Sequence, residues 1–509
     1  MSCTSSCCAK RRGSDIKRLE HLCPVKNLKS SLSNDHKDTM ISNVKMSALN
    51  DNAAVSMFDQ DERVRLYSLN DYITNNDTMY SDCRGLVYRN DNDELVFKGF
   101  PFCRELAIEE LPAMGDTAAS WRYFYSVEGT IIRVFNVDGH WYTSTNRKLD
   151  AFKSRWVPKR ETIVKRIQKL FSAKSARRRL VDAAAEEEDE EHGGDENVGD
   201  NVGDNAPENM SFGERFALGI KYLAEMDECD VSGEDVLDGG GECDSEETRL
   251  KETLRRFYDA YLDPTKGYVF IVRSSKEDRI VCDAADVDRS IVHVGTFHSS
   301  DSAPDFDARI FSKKYPSVPL IPSHNECKFK NSREAAQFLV EGGVDFHDYQ
   351  GLFAYDANKR KAYKIVTSMY YVFNKIRGNV PSLKFRYLQL RKEPVGARET
   401  FFYLYPEMRE DAALIELGIW EMAKRLHKSY LDVYVNKSCP TSESCATDME
   451  RKFLEEIHRS YLHSRVTTTA SRIVDILTMQ PPVRLNKLLK RFVKRVELER
   501  NNNNDEAAE

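Results

Sequence analysis

The chain has no run of roughly 18 apolar residues, so it contains nothing readable as a transmembrane helix, and no membrane partner is expected. Its opening residues, MSCTSSCCAKRRGSDIKRLE, lack the apolar core of a secretory leader. There are 12 cysteines, but not in the dense, even spacing of a disulfide framework. The expectation is therefore an intracellular, soluble protein with reduced thiols, with cytoplasm and nucleus undistinguished. Cys3, Cys7, Cys8, His21 and Cys23 lack the paired spacing of a zinc module and read as incidental. The acids of MDECDVSGEDVLDGGGECDSEE also lack the alternating ligands, central glycine and terminal glutamate of a calcium loop, which favours a solvated segment.

What is present is ordinary for folded protein: 509 residues, 41% hydrophobic and 31% charged, enough for two or three domains. The net charge of -7 is unevenly spread, with acidic runs set against strongly basic stretches. Residues 1–56 are rich in Ser, Asn, Asp and Lys and read as a disordered tail. From 57 to 400 the pattern predicts a mixed α+β domain. Within it, GLVYRNDNDELVFKGF and GTIIRVFNVDGHWYTST are hairpins turning at Asn90–Asp93 and Asp138-Gly139, and strands follow at GYVFIVRSS, DRIVC and GLFAYDANKRKAYKIV. Acidic insertions near 182–210 and 226–247 interrupt this domain; the first has no aromatic, lysine or arginine and cannot bury enough surface to order itself. Ala412, Ile415, Ile419, Met422, Leu426, Tyr430 and Val433 recur at helical spacing, predicting an all-helical domain over 401–500 and a tail over 501–509.

The segment YSVEGTIIRVF resembles the first motif of the covalent nucleotidyltransferases, the superfamily of DNA ligases, RNA ligases and capping enzymes. That motif is Lys-x-Asp/Glu-Gly, then a small hydroxylated residue and an apolar strand; Glu128, Gly129, Thr130 and the strand from Ile131 match it. CRGLVYRNDNDELVFKGFPF resembles the Arg-Gly hairpin and Phe-rich segment that precede it in phage-type RNA ligases, and WYTSTNRKLDAF and SFGERF fit downstream. GYVFIVRSSKEDRIV resembles the strand that sets an aromatic against the base, DYQGLFAY the metal-holding Glu-Gly motif, and YKIVTSMYY the phosphate-contacting Lys-x-Lys motif. The resemblance runs from about residue 80 to 390, with the motifs in the family's order. It implies a ligase-type fold of mixed antiparallel sheets, ATP and magnesium as cofactors if the site is active, and nucleotide contacts by Arg84, Glu128, Gly129, Tyr268 or Phe270, and Lys364.

The departures fall at the chemistry. Ser126 stands where the nucleophilic lysine belongs, Ile271 near the ribose carboxylate, Gln350 at the metal carboxylate and Val366 at the second cation. The family reaction needs an amine to form a phosphoramidate with the α-phosphate, which a serine hydroxyl cannot do. Glutamine removes the negative charge that a hard cation prefers, and valine removes a phosphate contact. Lys148-Leu149-Asp150-Ala151 is a near-match to the signature, but Lys148 lies downstream of the motif and reads more simply as a surface lysine.

Each retained residue also has a plainer use. Glu128 and Gly129 would serve in a turn, Arg84 would pair a carboxylate, and one of Tyr268 and Phe270 would face the core. Basic helical faces, at Arg177–Arg179 and at Lys487, Lys490, Arg491, Lys494 and Arg495, suit phosphate backbones or a partner for the acidic insertion. The leading expectation is a ligase-like protein that has lost self-adenylylation and binds nucleotide or RNA ends. The alternatives are an active ATP-dependent RNA ligase and a non-enzymatic scaffold for a protein partner.

Overall fold

The computed structural model describes residues 55–70, 83–114, 121–155, 163–164, 166–170, 210–227, 245–273, 279–283, 290–300, 302–358, 360–380, 382–438 and 448–505. The tail expected over 1–56 falls outside these except for its last two residues. Most of both acidic insertions, the N-terminal cysteine cluster and Arg177–Arg179 also fall outside.

The first sheet orders β1 (Val55–Gln60), β2 (Val64–Leu69), β3 (Leu86–Arg89) and β4 (Leu95–Phe97). The second orders β10 (Ile291–Phe297), β9 (Gly267–Arg273), β7 (Gly129–Val137) and β8 (His140–Ser144). In the third, the order is β11 (Glu326–Cys327), β6 (Trp121–Ser126), β12 (Gly351–Asp356), β13 (Lys361–Val366) and β5 (Arg104–Leu106), all antiparallel except β13 with β5. Both hairpins form where the turn residues place them: β3 pairs with β4, and β7 turns into β8 through Asp138 and Gly139, whose positive φ of 51° and 80° suit the tight turn. DRIVC is the exception. Its described residues 279–282 form an irregular segment, because the N–H groups of 280–282 are taken by a side chain rather than by a neighbouring strand.

Period-2 alternation sorts the second sheet. Ile132, Val134, Tyr268, Phe270 and Val272 turn to one face, beneath α1 (Phe212–Met226) and α2 (Glu246–Tyr261). A capping box at Ser211 and Glu214 starts α1, stabilising its first turn by about 1 kcal/mol. On the other face, Phe135, Val137 and Val269 pack with the first sheet, and Ile131 and Ile271 are half-buried beside them. The third sheet buries Tyr123, Leu352, Ala354 and Ile365 with α3 (Ser332–Val340). Its opposite face carries Phe124, Phe353, Tyr355 and Ala362 and is joined to the second sheet through Phe100 and Phe306.

The chain is thus α+β with a helical C-terminal region. That region opens at Ser368, earlier than its sequence pattern announces: α4 (Ser368–Arg377), α5 (Leu383–Leu390) and α6 (Val395–Leu404) share one core with α7 (Met408–Tyr430), α8 (Asp448–Ser464), α9 (Ala470–Thr478) and α10 (Pro482–Asp505). Val164, Ile167 and Leu170, from the basic stretch before the first insertion, belong to this core too. The asparagines assigned to the tail continue α10 to Asp505.

Candidate functional site

The motif turn joins two sheets, since β6 ends at Ser126 and β7 begins at Gly129. Ser126 is buried, and its hydroxyl donates to Gln350 Oε1 at 3.3 Å. The Gln350 N–H donates to the Ser126 carbonyl at 2.8 Å, and the Gln350 carbonyl accepts from Thr367 N–H at 3.0 Å. Gln350 therefore ties together the ends of β6, β12 and β13. Gly129 is not a left-handed turn residue, contrary to the simplest expectation. It is glycine because β9 crosses so closely that a Cβ would sit 2.6 Å from Ile271 Cγ2 and collide with the Val272 carbonyl. Gly351, at φ 150°, is similarly bound, as its Cβ would meet the Ile365 carbonyl.

Glu128 is buried, and its carboxylate is fully engaged. It accepts the N–H groups of Ile280 (2.7 Å), Val281 (2.9 Å) and Cys282 (3.2 Å), and the Tyr370 hydroxyl at 3.1 Å. Burial first, then the Glu128 charge, raise the Tyr370 pKa, keeping the phenol a donor. Residues 279–282 are held in turn by the helical region: Tyr405 OH donates to the Ile280 carbonyl, Arg279 donates to the Leu404 carbonyl, and Val281 and Cys282 lie in the helical core. Val366, at the expected second-cation position, packs into that same core.

Tyr268 and Phe270 do not join this site. They share one face of β9, turned to α1 and α2: Phe270 lies 5.2 Å from the Phe216 ring, and the Tyr268 hydroxyl accepts from Asp263 N–H at 2.8 Å. As residues i and i+2 of one strand they face the same way, so both pack beneath the helices. Aromatics do face the third sheet's inner side, namely Phe353 on β12 and Phe100 before β5, whose rings lie 5.9 Å apart.

Cations gather here with few counter-charges. Lys364 stands on β13 opposite Phe353, pairs with Glu105 at 3.2 Å and lies 5.9 Å from the Tyr370 ring centroid. Arg84 sits 5.6 Å from the Phe102 ring and, among the described residues, has neither an ion pair nor a hydrogen bond. Burial, together with the nearby Arg147 charge, lowers its pKa. Arg133, fully buried beside it, donates to the carbonyls of Gly85 and Thr145, and burial followed by the Arg84 charge pushes its pKa down to about 9. Cys103 feels both Lys364 and Arg84, although burial dominates and pushes its thiol up to about 12. Arg273, paired with Gly129 across the strands, likewise has no ion pair or side-chain hydrogen bond among the described residues. Sequence reasoning missed Arg133 and Arg273; the signal was available, since they alternate in step with Ile131 and Ile271. Lys148 lies in the turn after β8, where its backbone bonds to Thr145, and no hydrogen bond or ion pair joins it to Ser126, Gln350 or Lys364.

Among the described residues no group of three or more His, Cys, Asp or Glu is arranged to hold a metal, and no described helix is long and apolar enough to cross a membrane. No family model matches the chain. It is similar to the immediate-early protein ICP-46 homolog of Invertebrate iridescent virus 6, 23% identical over 435 residues, covering 80% of this chain and 76% of that protein. The protein of the same name in Invertebrate iridescent virus 3 is 22% identical over 415 residues, covering 80% and 72%. Neither name states a substrate or an activity.

Proposed function

We propose that the chain is an RNA ligase-like protein with a degenerate adenylylation site, which binds nucleotide or RNA ends without forming a lysyl-adenylate. The observation that carries the binding half of this reading is Arg84. It is a half-buried guanidinium with neither an ion pair nor a hydrogen bond among the described residues, next to Arg133 and electrostatically linked to Arg147. Confining like charges is costly, and an anion that pairs with them recovers the cost. Arg84, Lys364 and Arg273 are the residues that would hold the phosphates of ATP or of an RNA end. Magnesium would then be held mainly through those phosphates, because Gln350 offers it no charge.

Arg84→Met tests this, since it keeps much of the stem's packing and removes the charge. Its affinity for ATP should fall roughly tenfold to a hundredfold, the scale of one or two charge-assisted hydrogen bonds. Titration calorimetry at low salt would read this, and unchanged affinity would remove the anion-site reading.

The helical region supports a second contact with RNA. On α10, Lys487, Lys490, Arg491 and Lys494 are exposed and have no ion pair among the described residues, whereas Arg495 is committed to Glu450 and Glu499. Charge reversal at Lys490 and Lys494 should weaken RNA binding regardless of sequence. It should also flatten the log–log salt dependence by roughly one to two units. Equal affinity and an equal slope in filter binding would mean the face is only solvated.

A further inference from the structure

His324 is a buried polar group whose ring nitrogens are left unpaired among the described residues. Its backbone N–H donates to the His293 carbonyl at 3.2 Å, alongside the bridge between Ser323 and His293. The residue is only 9% exposed, and neither ring nitrogen has a hydrogen-bond partner among the described residues. Buried side-chain nitrogens are nearly always paired, so two open ones on a single ring ask for an occupant. His293 shows the ordinary solution, with Nε2 bonded to Thr296 Oγ1 at 3.1 Å.

The surroundings of His324 say what kind of occupant fits. Its ring lies 5.6 Å from Phe124 and 6.0 Å from Phe353, both on the inner face of the third sheet. Phe353 stands directly opposite Lys364 in the β12–β13 register, and Lys364 shares the neighbourhood of Cys103 with Arg84. Along this face the order is therefore cations, an aromatic ring, then an imidazole with buried, unpaired nitrogens. A nucleotide presents phosphates, a base face and a polar base edge in the same order.

We infer that His324 is the base-edge contact of a bound nucleotide, hydrogen-bonding the edge while Phe353 packs against the base face. This rests on the nucleotide-binding reading above. Burial first, and the neighbouring His293 second, push the imidazole pKa down to about 4, so near neutral pH it offers one donor and one acceptor. Either tautomer can meet a base, and the tautomer follows the ligand.

The experiment compares ATP with inorganic tripolyphosphate on the full chain, using wild type, His324→Leu and His324→Asn. Because the histidine's nitrogens are unpaired without ligand, an apolar replacement should leave the melting temperature unchanged or raise it. The His324→Leu protein should bind ATP roughly tenfold more weakly and tripolyphosphate equally well, with His324→Asn in between. A lowered melting temperature, or equal weakening for both ligands, would make His324 structural and overturn the inference. Unchanged ATP affinity in His324→Leu would overturn it too, as would wild type binding ATP no more tightly than tripolyphosphate; the anion site then stands alone. Wild type binding neither ligand would instead sink the nucleotide reading, and this inference with it.

Discussion

Incubated with labelled ATP and magnesium or manganese and then denatured, the protein will carry no covalent label. In the proposed ligase-like site Ser126 takes the nucleophile's place, and its hydroxyl is spent on Gln350 in a buried pair. Losing the nucleophile of a covalent mechanism removes orders of magnitude in rate, because the remaining groups only bind and polarise. Ser126→Lys alone will not restore labelling to that of an intact ligase. The new amine would meet a neutral amide at Gln350, a valine packed into the helical core at position 366, and a Glu128 carboxylate already bonded to three N–H groups and a phenol. A stoichiometric acid-labile, lysine-linked adduct on the wild-type chain would overturn this, and its mapping to Lys148 would identify the nucleophile. The absence of label is compatible with tight binding, which is why the Arg84 titration is a separate measurement.

Glu128→Ala should destabilise the protein by about 3–5 kcal/mol, because it strands several buried neutral donors at roughly 1–3 kcal/mol each. The substitution leaves the N–H groups of Ile280, Val281 and Cys282 and the Tyr370 hydroxyl without their acceptor. Glu128→Gln keeps one acceptor oxygen but turns an N–H₂ toward donors, and should cost less, roughly 1–2 kcal/mol. The damage should extend beyond the sheets, since residues 279–282 also dock on the helical region through Tyr405, Arg279, Val281 and Cys282. Urea unfolding followed by far-ultraviolet circular dichroism should therefore show an earlier midpoint and a broader transition. A Glu128→Ala midpoint matching wild type would mean that this carboxylate does not fasten the segment.

Glu128 also shows what kind of information a motif carries. Its place in YSVEGTIIRVF draws attention to it as a ligand contact, and the plainer alternative is an acid in a turn. In the folded chain it sits in the turn between β6 and β7, and its carboxylate stands in for a strand partner of residues 280–282. Those residues carry the β-branched and apolar pattern of a strand, so local reading places one there. Only the arrival of a carboxylate from about 150 residues away in sequence explains why they pair with no neighbour. Tyr268 and Phe270 make the complementary point. Alternation alone decides that they share a face, but which face holds α1 and α2 is invisible until the helices pack.

Two kinds of physical cause separate what this sequence determined by itself from what the tertiary structure decided. Short-range causes were legible: the positive-φ turn at Asp138-Gly139, the strands β9 and β12, and the spacing that makes α7 and α10 helical. The absence of charge at Ser126, Gln350 and Val366 was legible as well, because residue identity needs no coordinates. Long-range causes were not. Ser126 meets Gln350 across two neighbouring strands, Arg84 comes to rest beside Arg133 without a carboxylate among the described residues, and His324 is enclosed with both nitrogens open. Each of these depends on which faces the sheets and helices bury against one another, and burial is what turns an ordinary polar side chain into one that demands a partner.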